Sequence, residues 1–134
     1  MEKFWSGGFL YNPQNNSVLL HKRDSNTKFN PNSWAFFGGT REKDERPKET
    51  FTREMKEELN IEISEDRVIY LCDYLNEELN IYRHIFYVES DLRKDEMKLG
   101  EGADFEWVSL EKVFSYDLTE KTVKDLKFFV KNKK

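Results

Sequence analysis

Three glutamates carry the chemistry this chain could do. Glu57 and Glu58 stand three and four residues after Glu54. Residues so spaced share one face of a helix, so their carboxylates project as a single cluster. On an isolated helix such a cluster only repels itself. It becomes useful beside a hard divalent cation, which takes carboxylate oxygens and brings phosphate oxygens with it. Arg53 adjoins the cluster, and its planar guanidinium can hold a carboxylate through two parallel hydrogen bonds. Phe51, Met55 and Leu59 recur every four residues and form an apolar stripe that would seat the helix on a core. A solvated acidic face would account for the glutamates taken alone. The residues upstream favour a site: Gly38 and Gly39 allow a sharp turn or a close approach to a ligand, and Glu45 lies between them and the helix.

The elements that must position these groups follow from pattern. A helix is expected over Pro47–Leu59, with Pro47 suited to its first turn and Arg46 a poor N-cap. Residues 4–11 read as a strand interrupted by Gly7-Gly8, residues 12–16 as a turn, and residues 17–23 as a second strand. A polar loop at 25–32 leads to a short strand at 33–37 that enters the glycine pair, itself read as a turn. Strands at 67–74 and 81–89 are joined by a turn at 76–80. A charged loop at 94–102 precedes a last strand at 105–108. Ser109 is placed to cap a short helix, and Thr119 to cap a final one ending near Lys131. Strands on both sides of a helix, with a helix to close, predict an α/β fold in which a mixed sheet is sandwiched by helices.

Composition narrows the class. The chain has 134 residues, 37% of them hydrophobic and 15% aromatic, including eleven phenylalanines. That suffices for one domain, residues 1–134, with a real core. A net charge of −4 disfavours a nucleic-acid polymer as partner, because phosphate backbones attract basic surfaces. It leaves a phosphate-bearing small molecule open, since a bound metal would invert the local charge. Cys72 is the one cysteine, so no internal disulfide can form; it reads as a reduced core thiol. No stretch is apolar and long enough for a membrane span, and Met1-Glu2-Lys3 does not begin a signal peptide. A cytoplasmic location is the expectation.

The stretch from Gly39 to Ile61 resembles the Nudix box, G-x5-E-x7-R-E-U-x-E-E-x-G-U, where U is a bulky aliphatic residue. Gly39, Glu45, Arg53, Glu54, Met55, Glu57, Glu58 and Ile61 take its fixed positions. Asn60 replaces the closing glycine, Asp44 a glycine often found before the glutamate, and Phe37 a proline common before the glycine pair. Asn and Asp tolerate left-handed backbone, so the turns at both are expected to survive.

The resemblance implies a Nudix-type α/β/α sandwich and a hydrolase of nucleotide diphosphate bonds that depends on magnesium, with manganese as a substitute. It implies Glu57 and Glu58 as leading metal ligands, Glu54 as ligand or general base, and a carbonyl near Gly38 and Gly39 as a further ligand. Arg53 would pair with Glu45 or with a metal-binding glutamate. Glu101, six residues before Trp107 and flanked by Gly100 and Gly102, is placed like the loop glutamate that serves MutT-like members as ligand or base; an ordinary exposed glutamate is the alternative. Arg23 lies where related enzymes contact phosphate, Lys22 could substitute for it, and Gly39 would border the substrate. One of Trp34, Phe36 and Phe37 is a candidate to stack on a base, core packing suiting the others. His21 and His84 read as structural or exposed.

The favoured substrate is a nucleoside triphosphate, intact or oxidised, cleaved to monophosphate and pyrophosphate by a monomer or homodimer. No proline follows Pro47, which weakens the ADP-ribose option. The alternatives are an ADP-ribose or nucleotide-sugar pyrophosphatase, or a catalytically silent fold that binds a nucleotide or a protein.

Overall fold

A computed structural model describes residues 3–27, 30–100, 102 and 104–133. Seven strands form one sheet: β1 (Phe4–Asn12), β2 (Ser17–Lys22), β3 (Trp34–Ala35), β4 (Phe37–Thr40), β5 (Ile69–Asn76), β6 (Ile81–Glu89) and β7 (Asp104–Ser109). The order is β3-β2-β1-β6-β5, with β4 also paired to β1 and β7 to β2. β1 and β6 run parallel and the other pairs antiparallel, so the sheet is mixed. Helices α1 (Pro47–Leu59) and α2 (Glu120–Asn132) complete the elements of regular length.

Strand alternation builds the two sides. Leu10, Leu19, Phe37 and Phe86 point toward α1, where Phe51, Met55 and Leu59 meet them. Their neighbours Phe9, Val18, Leu20, Phe36 and Ile85 point the other way, toward Leu126 and Phe129 of α2. The outcome is the sandwich the sequence predicts, and the stripe on α1 is fully buried. Burying each of those side chains contributes roughly 1.5–3 kcal/mol, which makes α1 a rigid mount for the residues on its other face.

The structure corrects the local reading in several places. β1 runs unbroken through Gly7 and Gly8. Gly38 and Gly39 form no turn; they lie in β4, paired with Gly7 and Ser6 of β1. A Cβ at Gly38 would sit 2.5 Å from the Ser6 carbonyl oxygen and 2.6 Å from the Trp5 ring, so the glycine serves close packing. Residues 33–37 divide into two short strands around Phe36. Ser109 ends β7 and caps nothing; the helical turn beyond it, Val113–Ser115, has Lys112 at its N-cap. Lys43, not Asp44, takes the left-handed conformation, with φ 50°.

Other expectations hold. Asn60 closes α1 at φ 56°, ψ 40°. Arg46 offers its N-cap no side-chain acceptor, and Glu49 reaches back to the Arg46 N–H instead, at 2.7 Å. Thr119 caps α2, its hydroxyl oxygen accepting from the Thr122 N–H. Among the described residues no helix is long and apolar enough to cross a membrane.

Candidate active site

The site forms where α1 crosses β4. Arg53 is its hub. Its Nε donates to Glu45 Oε2 at 2.7 Å and its Nη2 to Glu45 Oε1 at 3.2 Å. Nη2 also donates to the Thr40 carbonyl at 3.0 Å, and Nη1 to Glu54 at 2.9 Å and Glu57 at 3.1 Å. One guanidinium thus ties the end of β4, the loop and the helix face together. Its hydrogen bond holds Glu45 below the usual carboxylate range. Glu45 is secured further by the Thr50 hydroxyl and the Glu42 N–H.

Glycine 39 explains why the box needs no side chain there. A Cβ would lie 2.2 Å from Glu54 Oε2, so the carboxylate lies flat against β4. Glu58 is buried at 6% exposure and accepts the Gly38 N–H at 2.9 Å. The Glu54 and Glu58 carboxyls lie within hydrogen-bonding reach of each other, and burial, more than any charge, raises Glu54 above the carboxylate range. Two facing carboxylates require a shared proton or a shared cation. That requirement, together with an all-oxygen donor set, fits a magnesium- or manganese-type ion. Among the described residues no three acidic, histidine or cysteine side chains are already gathered closely enough to hold one. Glu54, Glu57 and Glu58 are the residues that could hold the ion.

Glu101 lies outside the described residues. Its neighbour Gly100 is docked on the end of α1, its N–H donating to the Glu58 carbonyl at 2.7 Å. A Cβ there would approach the Glu57 carbonyl oxygen to 2.3 Å.

Arg23 is set apart from the glutamates. It lines a 580 Å³ cavity on the α2 side of the sheet, with Trp5, Phe36, Thr40, Asn76 and Arg83. Thr40 borders both places. Phe36 is the aromatic of its trio on that wall, whereas Phe37 is core and Trp34 packs against Tyr116. His21 is neutral, its pKa lowered to about 4 by burial, and burial pushes the Cys72 thiol up to about 12.

The cavity residues Trp5, Asn76 and Arg83 escaped the sequence reading. Arg83 lies 4.4 Å from the Trp5 ring and is held by Asp125, which also accepts the Tyr74 hydroxyl at 2.8 Å. One signal pointed there: Asp125 falls on the apolar stripe of α2 with Thr122, Leu126 and Phe129, and a carboxylate so placed needs a buried partner.

A mixed sheet between helices, with an arginine-latched acidic helix laid on a glycine strand, defines a pyrophosphohydrolase of the Nudix class. The family model of the NUDIX domain matches residues 6–130, and the chain belongs to that family. It is 27% identical to the dihydroneopterin triphosphate diphosphatase of Haemophilus influenzae, over 92% of this chain and 84% of the relative. Among solved structures, a MutT described for Aliivibrio salmonicida and Vibrio cholerae superposes with a TM-score of 0.77 at 17% identity, over 98% of this chain and 99% of that one. A bifunctional NMN adenylyltransferase/ADP ribose pyrophosphatase from Francisella tularensis, complexed with AMP and a manganese ion, gives 0.74 at 19% identity. It covers 98% of this chain, which spans 42% of that protein. At these identities the two structural likenesses show the fold.

Proposed function

We propose that this Nudix hydrolase is magnesium-dependent and cleaves a nucleoside triphosphate, intact or oxidised in its base, to the monophosphate and pyrophosphate. The observation that carries this reading is the junction at Thr40. Its carbonyl accepts from Arg53, and the residue also lines the 580 Å³ cavity. That volume suits one nucleoside, so a nucleoside held there would direct its phosphates along β4 toward Glu54, Glu57 and Glu58. The relative from Haemophilus influenzae is named for action on a triphosphate, of a pterin, which supports a triphosphate chain as the group cleaved.

The roles divide by geometry. Glu57 and Glu58 would hold the metal with Glu54, and a carbonyl near Gly38 and Gly39 completes the proposed set. When bound, magnesium would neutralise charge on the phosphates and lower the pKa of a coordinated water. Glu54 is alternatively the general base that takes a proton from water, a role its burial-raised pKa suits; Glu101 is the second candidate for that role. Arg53 belongs to the proposed catalytic set with Glu54 and Glu101, and its part is to position Glu54 and Glu57. Arg23 is the proposed phosphate contact. A cytoplasmic monomer or homodimer that acts on small molecules fits this reading.

A panel of nucleoside triphosphates, ADP-ribose and nucleotide sugars, incubated with and without magnesium, tests it. Monophosphate and pyrophosphate from at least one triphosphate, only with metal, is the expected result. Cleavage of ADP-ribose alone would transfer the site to that substrate. No cleavage of any compound would favour a binding module.

A further inference from the structure

We infer that Asn76 is the residue by which the cavity selects the ring of its ligand. Strand register places it there. Trp5 of β1 pairs with Arg83 of β6, Arg83 pairs with Tyr74 of β5, and Ile81 pairs with Asn76 two residues along. Side chains two apart on a strand share a face, so Trp5, Arg83, Tyr74 and Asn76 form one surface. It is the surface that α2 covers through Asp125. Asn76 ends β5, lines the cavity, and is only 8% exposed.

The polar groups of this surface are not treated alike. Asp125 is almost wholly buried and engaged by both oxygens: Arg83 Nε donates to Oδ2 at 3.1 Å, with Nη2 also 3.1 Å from that oxygen, and the Tyr74 hydroxyl donates to Oδ1. Asn76 also lines the cavity, yet its Oδ1 is tucked out of contact with solvent and has no hydrogen-bond partner. Buried polar atoms are nearly always paired. A rotation of the Asn76 carboxamide about its terminal bond would present that unpaired oxygen to the cavity, where a ligand can supply the missing partner. The hairpin beyond it carries Leu79, 67% exposed and also lining the cavity, which an entering ring would cover.

The chemistry of a carboxamide defines what it reads. It sets one acceptor beside one pair of N–H donors, and it matches a heterocycle edge that carries an N–H next to an acceptor, as it does with adenine in other settings. A site whose polar group is left unmatched rejects the wrong ring far more strongly than an apolar pocket can. Trp5 and Phe36 offer any ring apolar area; Asn76 adds the edge test.

This inference rests on the cavity being the nucleotide site, and its test is independent of catalysis. Binding of AMP, GMP, CMP, UMP and ribose 5-phosphate would be measured without metal on the parent, Asn76→Leu and Asn76→Asp. The parent is expected to prefer one base. Asn76→Leu should weaken that ligand about tenfold or more, bring the four bases close together, and leave ribose 5-phosphate unchanged. Asn76→Asp, which lacks the donor, should shift preference toward GMP, whose edge carries adjacent N–H groups. The leucine variant should melt no lower than the parent, because it removes an unpaired buried atom.

A parent that binds all four bases alike, or a leucine variant that keeps the parent's ranking or weakens all five ligands together, would overturn the assignment. If triphosphates are not cleaved but base preference still depends on Asn76, the proposed activity fails and the inference stands. Cleavage with a base preference indifferent to Asn76 is the reverse.

Discussion

Arg53 grips Glu45 through two parallel hydrogen bonds, at 2.7 and 3.2 Å, and the same guanidinium touches Glu54, Glu57 and the Thr40 carbonyl. A lysine cannot reproduce that fork. Arg53→Lys should therefore lower kcat about 10- to 100-fold, the usual penalty for a catalytic group displaced by an ångström or so, with a smaller change in KM. It should cost about 1–3 kcal/mol of stability, the range for hydrogen bonds to charged groups. Steady-state kinetics and urea unfolding read the two effects. Unchanged kcat would show that the latch does not position the carboxylates.

Gly39 and Glu54 compete for one space. A methyl at 39 would lie 2.2 Å from Oε2 and 2.5 Å from Cδ of Glu54. The carboxylate is the end of a side chain that can swing away, so Gly39→Ala should fold and melt within a few degrees of the parent. Its kcat should fall about 100-fold, because the displaced group is a proposed metal ligand or base. Full activity would mean that Glu54 works from another rotamer.

Two glutamates of the site pull the pH dependence of stability in opposite directions. Hydrogen bonding to Arg53 depresses Glu45. Its contribution is present above the unfolded value of 4.5 and is lost as pH falls through the lower folded value. Burial raises Glu54. Its ionisation destabilises the fold above the raised pKa, and that loss is relieved as pH falls toward 4.5. Glu45→Gln should be less stable at neutral pH and lose less stability on acidification. Glu54→Gln should melt higher than the parent at neutral pH in chelator. It should also lose much of the rise in Tm that magnesium or manganese gives the parent by binding the folded state. Melting curves from pH 4 to 8 would show whether the two variants diverge in this way.

The box was legible because it is local. Thirteen residues of helix carry the apolar stripe, the carboxylates and Arg53 at one period, so a single periodicity reveals all three. The strands were legible as short apolar runs bounded by turn residues, as in Phe9-Leu10-Tyr11 and Val18-Leu19-Leu20 on either side of residues 12–16. What failed depended on distant partners. Gly38 and Gly39 look like a turn in sequence; only pairing with Ser6 and Gly7 makes them strand. The left-handed position falls at Lys43 and not at Asp44, against the residue preference on which the expectation rested. The cavity draws Trp5, Asn76 and Arg83 from three strands and Thr122 from α2, and no local spacing links them.

Asn60 stands where the family has glycine, and it adopts φ 56°, ψ 40°, with its N–H on the Lys56 carbonyl. Asparagine pays little for left-handed backbone and a β-branched residue pays much more. Asn60→Gly should be neutral or slightly stabilising, and Asn60→Val should cost about 1–2 kcal/mol. Because the position only ends α1, kcat of the valine variant should stay close to the parent at temperatures where it is folded. Equal unfolding free energies for the two variants would show that the turn relaxes.

Glu101 is the candidate the box does not contain. The loop that leads to it is fixed on α1: Lys98 donates to the Leu59 carbonyl at 3.1 Å and Gly100 to the Glu58 carbonyl at 2.7 Å. Gly100 packs so closely on the Glu57 carbonyl that it admits no side chain. The chain is thus brought to the carboxylate helix one residue before Glu101. If Glu101 acts as ligand or base, Glu101→Gln should lower kcat well beyond any rise in KM, because the interaction is made chiefly in the transition state. A loss of about 10- to 100-fold is expected, within the range for general acid–base groups. Glu54→Gln should lose more, since a helix seated on buried Phe51, Met55 and Leu59 positions its group more tightly than a loop. Glu96→Gln, in the same charged segment, is the control and should match the parent. Full kcat in Glu101→Gln beside a large loss in Glu54→Gln would leave the chemistry to the helix alone.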